Sequence, residues 1–351
     1  MKLSDLTNHA GEWLRGSGPQ CEIVISSRIR LARNIGGFPF LARASRHQRQ
    51  VLEARIRDTI LNAQVASQML YINLEDAPQM DRDLLVERHL ISKPHAMAEG
   101  ARGVAVAEDE TAAIMVNEED HLRIQVLRSG LQLEEAWDQI NEIDDKLEAK
   151  LDFTFHPRFG YLTACPTNVG TGLRVSVMLH LPALKLTGEI EKVFRAAKDM
   201  RLAVRGLYGE GTEATGDFYQ ISNQTTLGKS EDDTISEFKL HVVPKIVDYE
   251  HHARRQLLND RTVALDDKVC RALGLLRSAR LLASEETLFL LSHVRMGVNL
   301  GRVKDVDLRT INELFLLTQP AHLQKIQGRK LEGDLRRAAR ADYIRQRLNG
   351  K

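Results

Sequence analysis

The sequence predicts an α+β fold: an antiparallel sheet flanked by helices over roughly the first 250 residues, then an all-α region. Three observations lead there. Strand-like runs follow one another with only turn-length gaps, as in GVAVAEDETAAIMVNEEDHLRIQVLR; such gaps suit hairpins, because parallel pairing needs a long crossover. Helical stretches at 46–66 and 131–151 separate the strand groups. After Ser230 only helical periodicity remains. The expected division is an N-terminal segment over 1–20, a mixed domain over 21–255 and a helical domain over 256–351.

The elements follow in order. Residues 1–20 read as a short helix and a loop, and CEIVIS as a strand. A helix is expected from Arg46 to about Ala66, with Val51, Ile56, Ile60 and Leu61 on its buried side. MLYINL is a strand, and two or three strands follow, with turns at Glu108–Glu110 and Asn117–Asp120. Leu131–Leu151 is a long amphipathic helix. DFTFHPRFGYLTACPTNVGTG is mostly loop, and LRVSVMLHLP is a strand. One helix is expected over 184–199, then the strands RLAVRGLYG and GDFYQISNQ. Ser230 is a candidate N-cap with acids in the first turn, and Pro244 should kink the helix it starts. Helices close the chain at 262–276, 284–295, 307–317 and 333–348. The leucine-rich stretches ARLLASEETLFLLSHVRMGVNLG and INELFLLT carry more leucine than one helix face needs, so this region is expected to pair two chains as a homodimer.

Bulk composition narrows the classes. Of the 351 residues, 49 are Lys or Arg and 48 are Asp or Glu, for a net charge of +1, so neither nucleic acid nor a membrane surface is an expected partner. The three cysteines, Cys21, Cys165 and Cys270, are too scattered for a disulfide framework or a zinc site. No apolar run approaches the ~18 residues of a membrane span, and the N-terminus lacks a signal-peptide core. A reducing cytoplasm is the expected location.

Arginines carry the chemistry. In SSRIRLARN, Arg28 and Arg30 alternate, so on a strand both project from one face. They form either a solvated edge or a clamp for phosphate, which the planar guanidinium fork can grip with two hydrogen bonds. In NEEDHLRIQ, three acids precede His121 and Arg123. CPTNVGTGLR places Cys165 before a glycine turn and Arg174. RLAVRGLYGEGTEATGD ends a strand with Arg205 and sets Glu210 between glycines. Cys165 is either a small buried hydrophobe or a reactive thiol. TLGKS is not a P-loop, since Asn223 stands where the leading glycine belongs. The histidines lack metal-ligand spacing, so no protein-bound metal is expected.

The blocks SSRIRLARN, NEEDHLRI, CPTNVGTGLR and RGLYGE, in this order, closely resemble the phosphagen (ATP:guanido) kinase family. RGLYGEGTEA and VERHLIS resemble its bacterial protein arginine kinase branch. The resemblance implies a phosphagen-kinase-like catalytic domain that moves the γ-phosphoryl group of ATP onto arginine side chains of proteins. It implies that Arg28, Arg30, Arg123, Arg174 and Arg205 cage the ATP phosphates, with Ser27 and the strand residues Val175, Ser176, Val177 and Met178 beside them and His89 along the nucleotide. Glu119 and Glu210 would hold the guanidinium substrate, with Cys165 beside its reactive nitrogen. Mg²⁺ would arrive on ATP. The branch implies a zinc-binding activator protein as partner and delivery of marked proteins to a Clp ATPase-protease in stress response. A free-arginine or other small-guanidino kinase is the alternative enzyme, and a catalytically silent adaptor the alternative of another class. In the branch's C-terminal phosphoarginine-binding motif, GDLRRA keeps Asp334 and Arg337 but has Gly333 in place of the first arginine.

Overall fold

The computed structural model describes residues 10–207 and 215–350. A short 3₁₀ turn at Glu12–Leu14 leads to strand β1, Val24–Arg33. Helix α1, Arg46–Asn62, starts on a capping box between Ser45 and Gln48. Strand β2, Met69–Asn73, helices α2, Gln79–Glu87, and α3, Lys93–Met97, and strands β3, Gly103–Ala107, β4, Ala112–Val116, and β5, Leu122–Ser129, follow. Next come α4, Leu133–Glu148, the small hairpin β6, Phe155–His156, and β7, Gly160–Tyr161, and the strand β8, Leu173–His180. Helices α5, Pro182–Leu186, and α6, Ile190–Asp199, precede β9, Leu202–Arg205, and β10, Phe218–Asn223. The chain then continues as α7, Glu231–Glu237, α8, Val243–Asp260, α9, Thr262–Ser278, α10, Ser284–Asn299, α11, Leu308–Leu317, α12, Pro320–Ile326, and α13, Gly333–Leu348.

Eight strands form one antiparallel sheet in the order β2-β3-β4-β5-β1-β8-β10-β9. One face is largely apolar. There α4 buries Ala136, Ile140, Ile143 and Leu147, at helical spacing, against β1 and β5. Val175 and Val177 of β8 join this core. The other face is covered only at its ends. A satellite core of Leu74, Leu85, Leu90, Val104, Val106 and Met115 seats α2 and α3 over β3 and β4. At the opposite end Phe218 meets Phe315 of α11 edge-on, with ring centroids 4.8 Å apart. Between these covers a stretch of sheet stays open.

Several expectations change. Helix α1 buries Leu52, Ile56 and Ile60, an i, i+4, i+8 row; Val51 and Leu61 fall on the exposed side of that row. The single helix expected at 184–199 breaks in two at Gly188, whose φ of +76° ends α5. A π-helical turn over Phe238–Val242 precedes Pro244, which lacks the N–H that regular α-helix would need there. Helices α2, α3 and α12 were not foreseen. Most of the leucines that suggested a surplus face are buried within the chain, among them Leu288, Leu290, Leu291, Leu314, Leu316 and Leu317, while Leu281 stays exposed. Helices α10 and α11 are central, so more than one side of each is covered.

The C-terminal helices share the core of the sheet. Arg295 of α10 is wholly buried and donates to the carbonyls of Cys21 (2.7 Å) and Glu22 (3.0 Å) ahead of β1. Ser292 of the same helix donates to Asp217 Oδ2 (2.6 Å), at the start of β10, and meets His180 Nε2 at 2.9 Å. A buried ion pair braces the middle of the molecule. Arg33, at the end of β1, contacts Asp144 Oδ2 of α4 at 2.7 Å, and its guanidinium lies 3.6 Å from the Tyr161 ring centre. Arg33→Ala leaves the buried Asp144 carboxylate without its cation, so a loss of about 3 kcal/mol or more is expected in denaturant unfolding. A loss under about 1 kcal/mol would show that the pair is solvated in practice.

Candidate active site

Strand register builds the open face. Side chains directly opposite each other in an antiparallel pair share a face. Arg28 lies opposite Ser176, Arg30 opposite Arg174 and Gln125, and Ala32 opposite Arg123. Met178 lies opposite Gln220, and Gln220 opposite Arg205. Arg28, Arg30, Arg123, Arg174 and Arg205 therefore project from one face of four strands, from β5 to the edge strand β9. They line a cleft of about 750 Å³ with His89, Lys93, Glu118, Glu119, Asp120, Cys165, Thr167, Asn168 and Gln220.

The cluster is electrostatically unbalanced. Burial, then the charges of Arg123, Arg205 and Arg174, push the Arg28 guanidinium down to about 9. Burial and the charges of Arg28, Arg123, Arg174 and Arg205 push the Arg30 guanidinium well below its ordinary value. A guanidinium holds its proton at neutral pH, so these same forces amount to a demand for an anion. Arg28 Nη2 donates to Gln220 Oε1 at 2.6 Å. Arg30 is 7% exposed, and its Nε and Nη2 have no hydrogen-bond partner among the described residues. Unpaired buried donors are costly, and these point to a ligand with acceptor oxygens. Burial and the nearby charges of Arg28 and Lys93 hold the His89 imidazole at about 3, so it faces the cleft neutral.

The adjacent acids divide the work. Burial pushes the Glu118 carboxyl up, but Arg123, the Ser92 hydroxyl and the Glu119 amide outweigh it and hold Glu118 at about 2. Its Oε1 meets Arg123 Nη1 at 2.9 Å and accepts from Ser92 Oγ at 2.6 Å. Glu119 is exposed at the cleft, and burial with the charges of Asp120 and Glu118 raises its carboxyl above the ordinary value. Asp120 is buried and accepts from Asn34 Nδ2 and the Ala164 amide, each at 2.6 Å, which ties the end of the acidic turn to the loop carrying Cys165. Cys165 Sγ lies 3.0 Å from Thr167 Oγ1 on the cleft wall. The glycines here serve backbone packing. A Cβ on Gly172, φ +67°, would come within 2.7 Å of Ala32 O, and one on Gly170, φ +115°, within 2.5 Å of Thr226 O.

Of the residues singled out in the sequence, the structure brings Arg28, Arg30, His89, Arg123, Arg174, Arg205, Glu119 and Cys165 to one cleft. Ser176 and Met178 share that face of β8 and line a small recess beside it. Alternation turns the side chains of Ser27, Val175 and Val177 to the opposite face. Ser27 Oγ donates to Gly130 O at 2.8 Å, and the two valines pack in the core. Glu210 lies outside the described residues. Asp334 and Arg337 sit on the exposed first turn of α13, away from the cleft and 3.1 Å from each other. Glu118, Ser92 and Gln220 were missed. The doubled acid of NEED held the signal for Glu118, since Arg123 entering an apolar strand needs a partner.

The model of the ATP:guanido phosphotransferase C-terminal catalytic domain matches residues 51–253. The chain belongs to the ATP:guanido phosphotransferase family. Residues 262–351 match the protein-arginine kinase McsB C-terminal domain. A protein-arginine kinase of Halothermothrix orenii is 47% identical, over 99% of this chain and 100% of its own length. Those of Symbiobacterium thermophilum and Bacillus subtilis are 49% and 42% identical, covering 99% and 97% of this chain and 100% and 94% of theirs. Among solved structures, the duplicated taurocyamine kinase of Schistosoma mansoni, with transition-state-analogue components bound, is 28% identical with a TM-score of 0.61, over 72% of this chain and 35% of that one. A lombricine kinase is 27% identical with a TM-score of 0.57, over 70% and 72%. Members of this phosphotransferase family use ATP as phosphoryl donor.

Folding favours the charged form of Glu118, whose carboxyl sits at about 2 against an ordinary 4.5. Its contribution to stability is therefore complete above about pH 4.5 and is lost as pH falls toward 2. The stability difference between the wild type and Glu118→Gln should narrow across that window in denaturant titrations. A difference that stays constant down to about pH 2.5 would remove the ion pair from this account.

Proposed function

We propose that this enzyme transfers the γ-phosphoryl group of ATP to the guanidinium of arginine side chains in proteins. The single observation that carries the reading is the five-arginine face, with Arg30 Nε and Nη2 unpartnered among the described residues. Donors of this kind fit the oxygens of a triphosphate, which can be held by arginines without a P-loop. Mg²⁺ bound to the nucleotide neutralises phosphate charge. The full-length relatives named protein-arginine kinase support a protein as acceptor. No helix among the described residues is long and apolar enough to cross a membrane.

The residues at the cleft have separate tasks in this reading. Arg28, Arg30, Arg123, Arg174 and Arg205 fix the phosphates and stabilise charge on the group in transit. Glu118 keeps Arg123 in place. Glu119, with Glu210 as its counterpart, grips the substrate guanidinium and accepts its proton as the new N–P bond forms. The bond between the γ-phosphorus and its bridging oxygen breaks, and ADP leaves. A protonated guanidinium is a very poor nucleophile, so a carboxylate with a raised pKa is suited to this step. Cys165 lies beside the reacting nitrogen and helps to orient it. A zinc-binding activator and a Clp-type protease downstream belong to the same reading, with the family relationship as their support; a homodimer through the C-terminal helices and a cytoplasmic location rest on the sequence.

Incubation of an arginine-rich protein with MgATP, followed by mass spectrometry under conditions that preserve P–N bonds, should reveal phosphoarginine. Phosphorylation of free arginine alone would favour a small-guanidino kinase, and no product at all a silent adaptor. Glu119→Gln should lower kcat about 100-fold or more while ATP affinity is retained, and Glu210→Gln should behave alike. Turnover within a few-fold of wild type would take Glu119 out of the chemistry. Arg28→Ala or Arg174→Ala should weaken ATP binding by calorimetry and slow turnover together, because phosphate contacts act on ground and transition states alike.

A further inference from the structure

Helix α12 is joined to the cleft by a buried relay. Glu87, the last residue of α2, accepts from the amides of Ala321 (2.7 Å) and His322 (3.0 Å) and from His322 Nδ1 (2.6 Å). A proton on Nδ1 makes Nε2 an acceptor, and Arg88 Nη1 lies 3.1 Å from it. Arg88 is wholly buried and pairs through Nε and Nη2 with both oxygens of Glu110, in the β3–β4 turn. A neutral imidazole thus links a carboxylate on one side to a guanidinium on the other, with every ring nitrogen satisfied.

The next residue is His89, in the cleft. Its φ of +59° is a left-handed conformation that a non-glycine residue keeps only where its flanks are held. Arg88 holds one flank. Gln125 Nε2 holds the other by donating to His89 O (2.8 Å) and Leu90 O (3.3 Å). Two residues beyond Leu90, Ser92 Oγ reaches Glu118, which pairs with Arg123. Hydrogen bonds at both ends of segment 88–92 therefore link α12 to one of the five arginines.

We infer that Glu87 and His322 are positioning residues for the nucleotide site, holding residues 88–92 so that His89 lies in the cleft and Ser92 sets Glu118 against Arg123. They touch no reacting atom. The inference rests on the arginine face being the nucleotide site. The same two helices are also joined by an ion pair between Lys325 and Asp81, which does not touch the relay and so separates positioning from simple adhesion of α12.

The test is calorimetric titration of the full-length chain with MgATP, in His322→Ala, Ser92→Ala, the double variant and Lys325→Ala. His322→Ala should weaken binding about tenfold, as misplaced site residues do, while Lys325→Ala leaves it unchanged. The double variant should lose less than the product of the single losses, because both substitutions release the same segment. A folded His322→Ala protein with wild-type affinity, or multiplicative losses, would overturn the inference. Should His322→Ala fail to fold, Glu87→Gln, which keeps volume and one acceptor oxygen, carries the same expectation and the same refutation. Arg28→Ala keeps the two readings apart. Lost binding there, beside unchanged binding in His322→Ala, retires the relay alone; intact binding in Arg28→Ala retires the nucleotide site itself.

Discussion

Five guanidinium groups crowded on one face of one sheet repel each other, and much of the surrounding structure answers to that repulsion. Gln220 gives Arg28 an acceptor without neutralising it. Glu118 neutralises Arg123 and is itself held by Ser92. Among the described residues, Arg30 is left with unmet donors. A flexible surface would relieve this crowding by letting the side chains splay. Here the strands are fixed by a continuous apolar core on their other face and by helical covers at both ends. The unfavourable interaction therefore persists until an anion arrives, which is what preorganisation for a polyphosphate requires.

The path from sequence to site was clearest where periodicity alone decides. The alternation of Arg28 and Arg30 already placed both on one face, and register then added Arg174, Arg123 and Arg205 from neighbouring strands. The same rule turns the side chains of Ser27, Val175 and Val177 to the opposite face. They sit one residue from face positions and were carried along with the motif. What stayed hidden depends on contacts remote in sequence. Nothing near Gln220 announces that it faces Arg28, 192 residues away. Helices α2, α3 and α12 are short, and their stability comes from packing and from Glu87 capping α12 across a gap of 234 residues, which no local pattern records.

The C-terminal helices were read as a region apart because only helical periodicity remains after Ser230. Packing joins them to the sheet. Arg295 holds the chain ahead of β1, Ser292 holds Asp217 beside β10, and α12 holds the end of α2. The leucines that looked like a surplus are the price of being central: α10 and α11 are covered on several sides. Through α2, this region reaches the segment that carries His89 and Ser92, so the cleft is framed by both halves of the chain.

The most direct test of the account is the structure of the chain with Mg²⁺ and a non-hydrolysable ATP analogue. The account predicts phosphate oxygens within about 3 Å of Arg30 Nε and Nη2, with Arg28, Arg123, Arg174 and Arg205 around the same triphosphate. A nucleotide bound elsewhere, with Arg30 still lacking an acceptor, would contradict it.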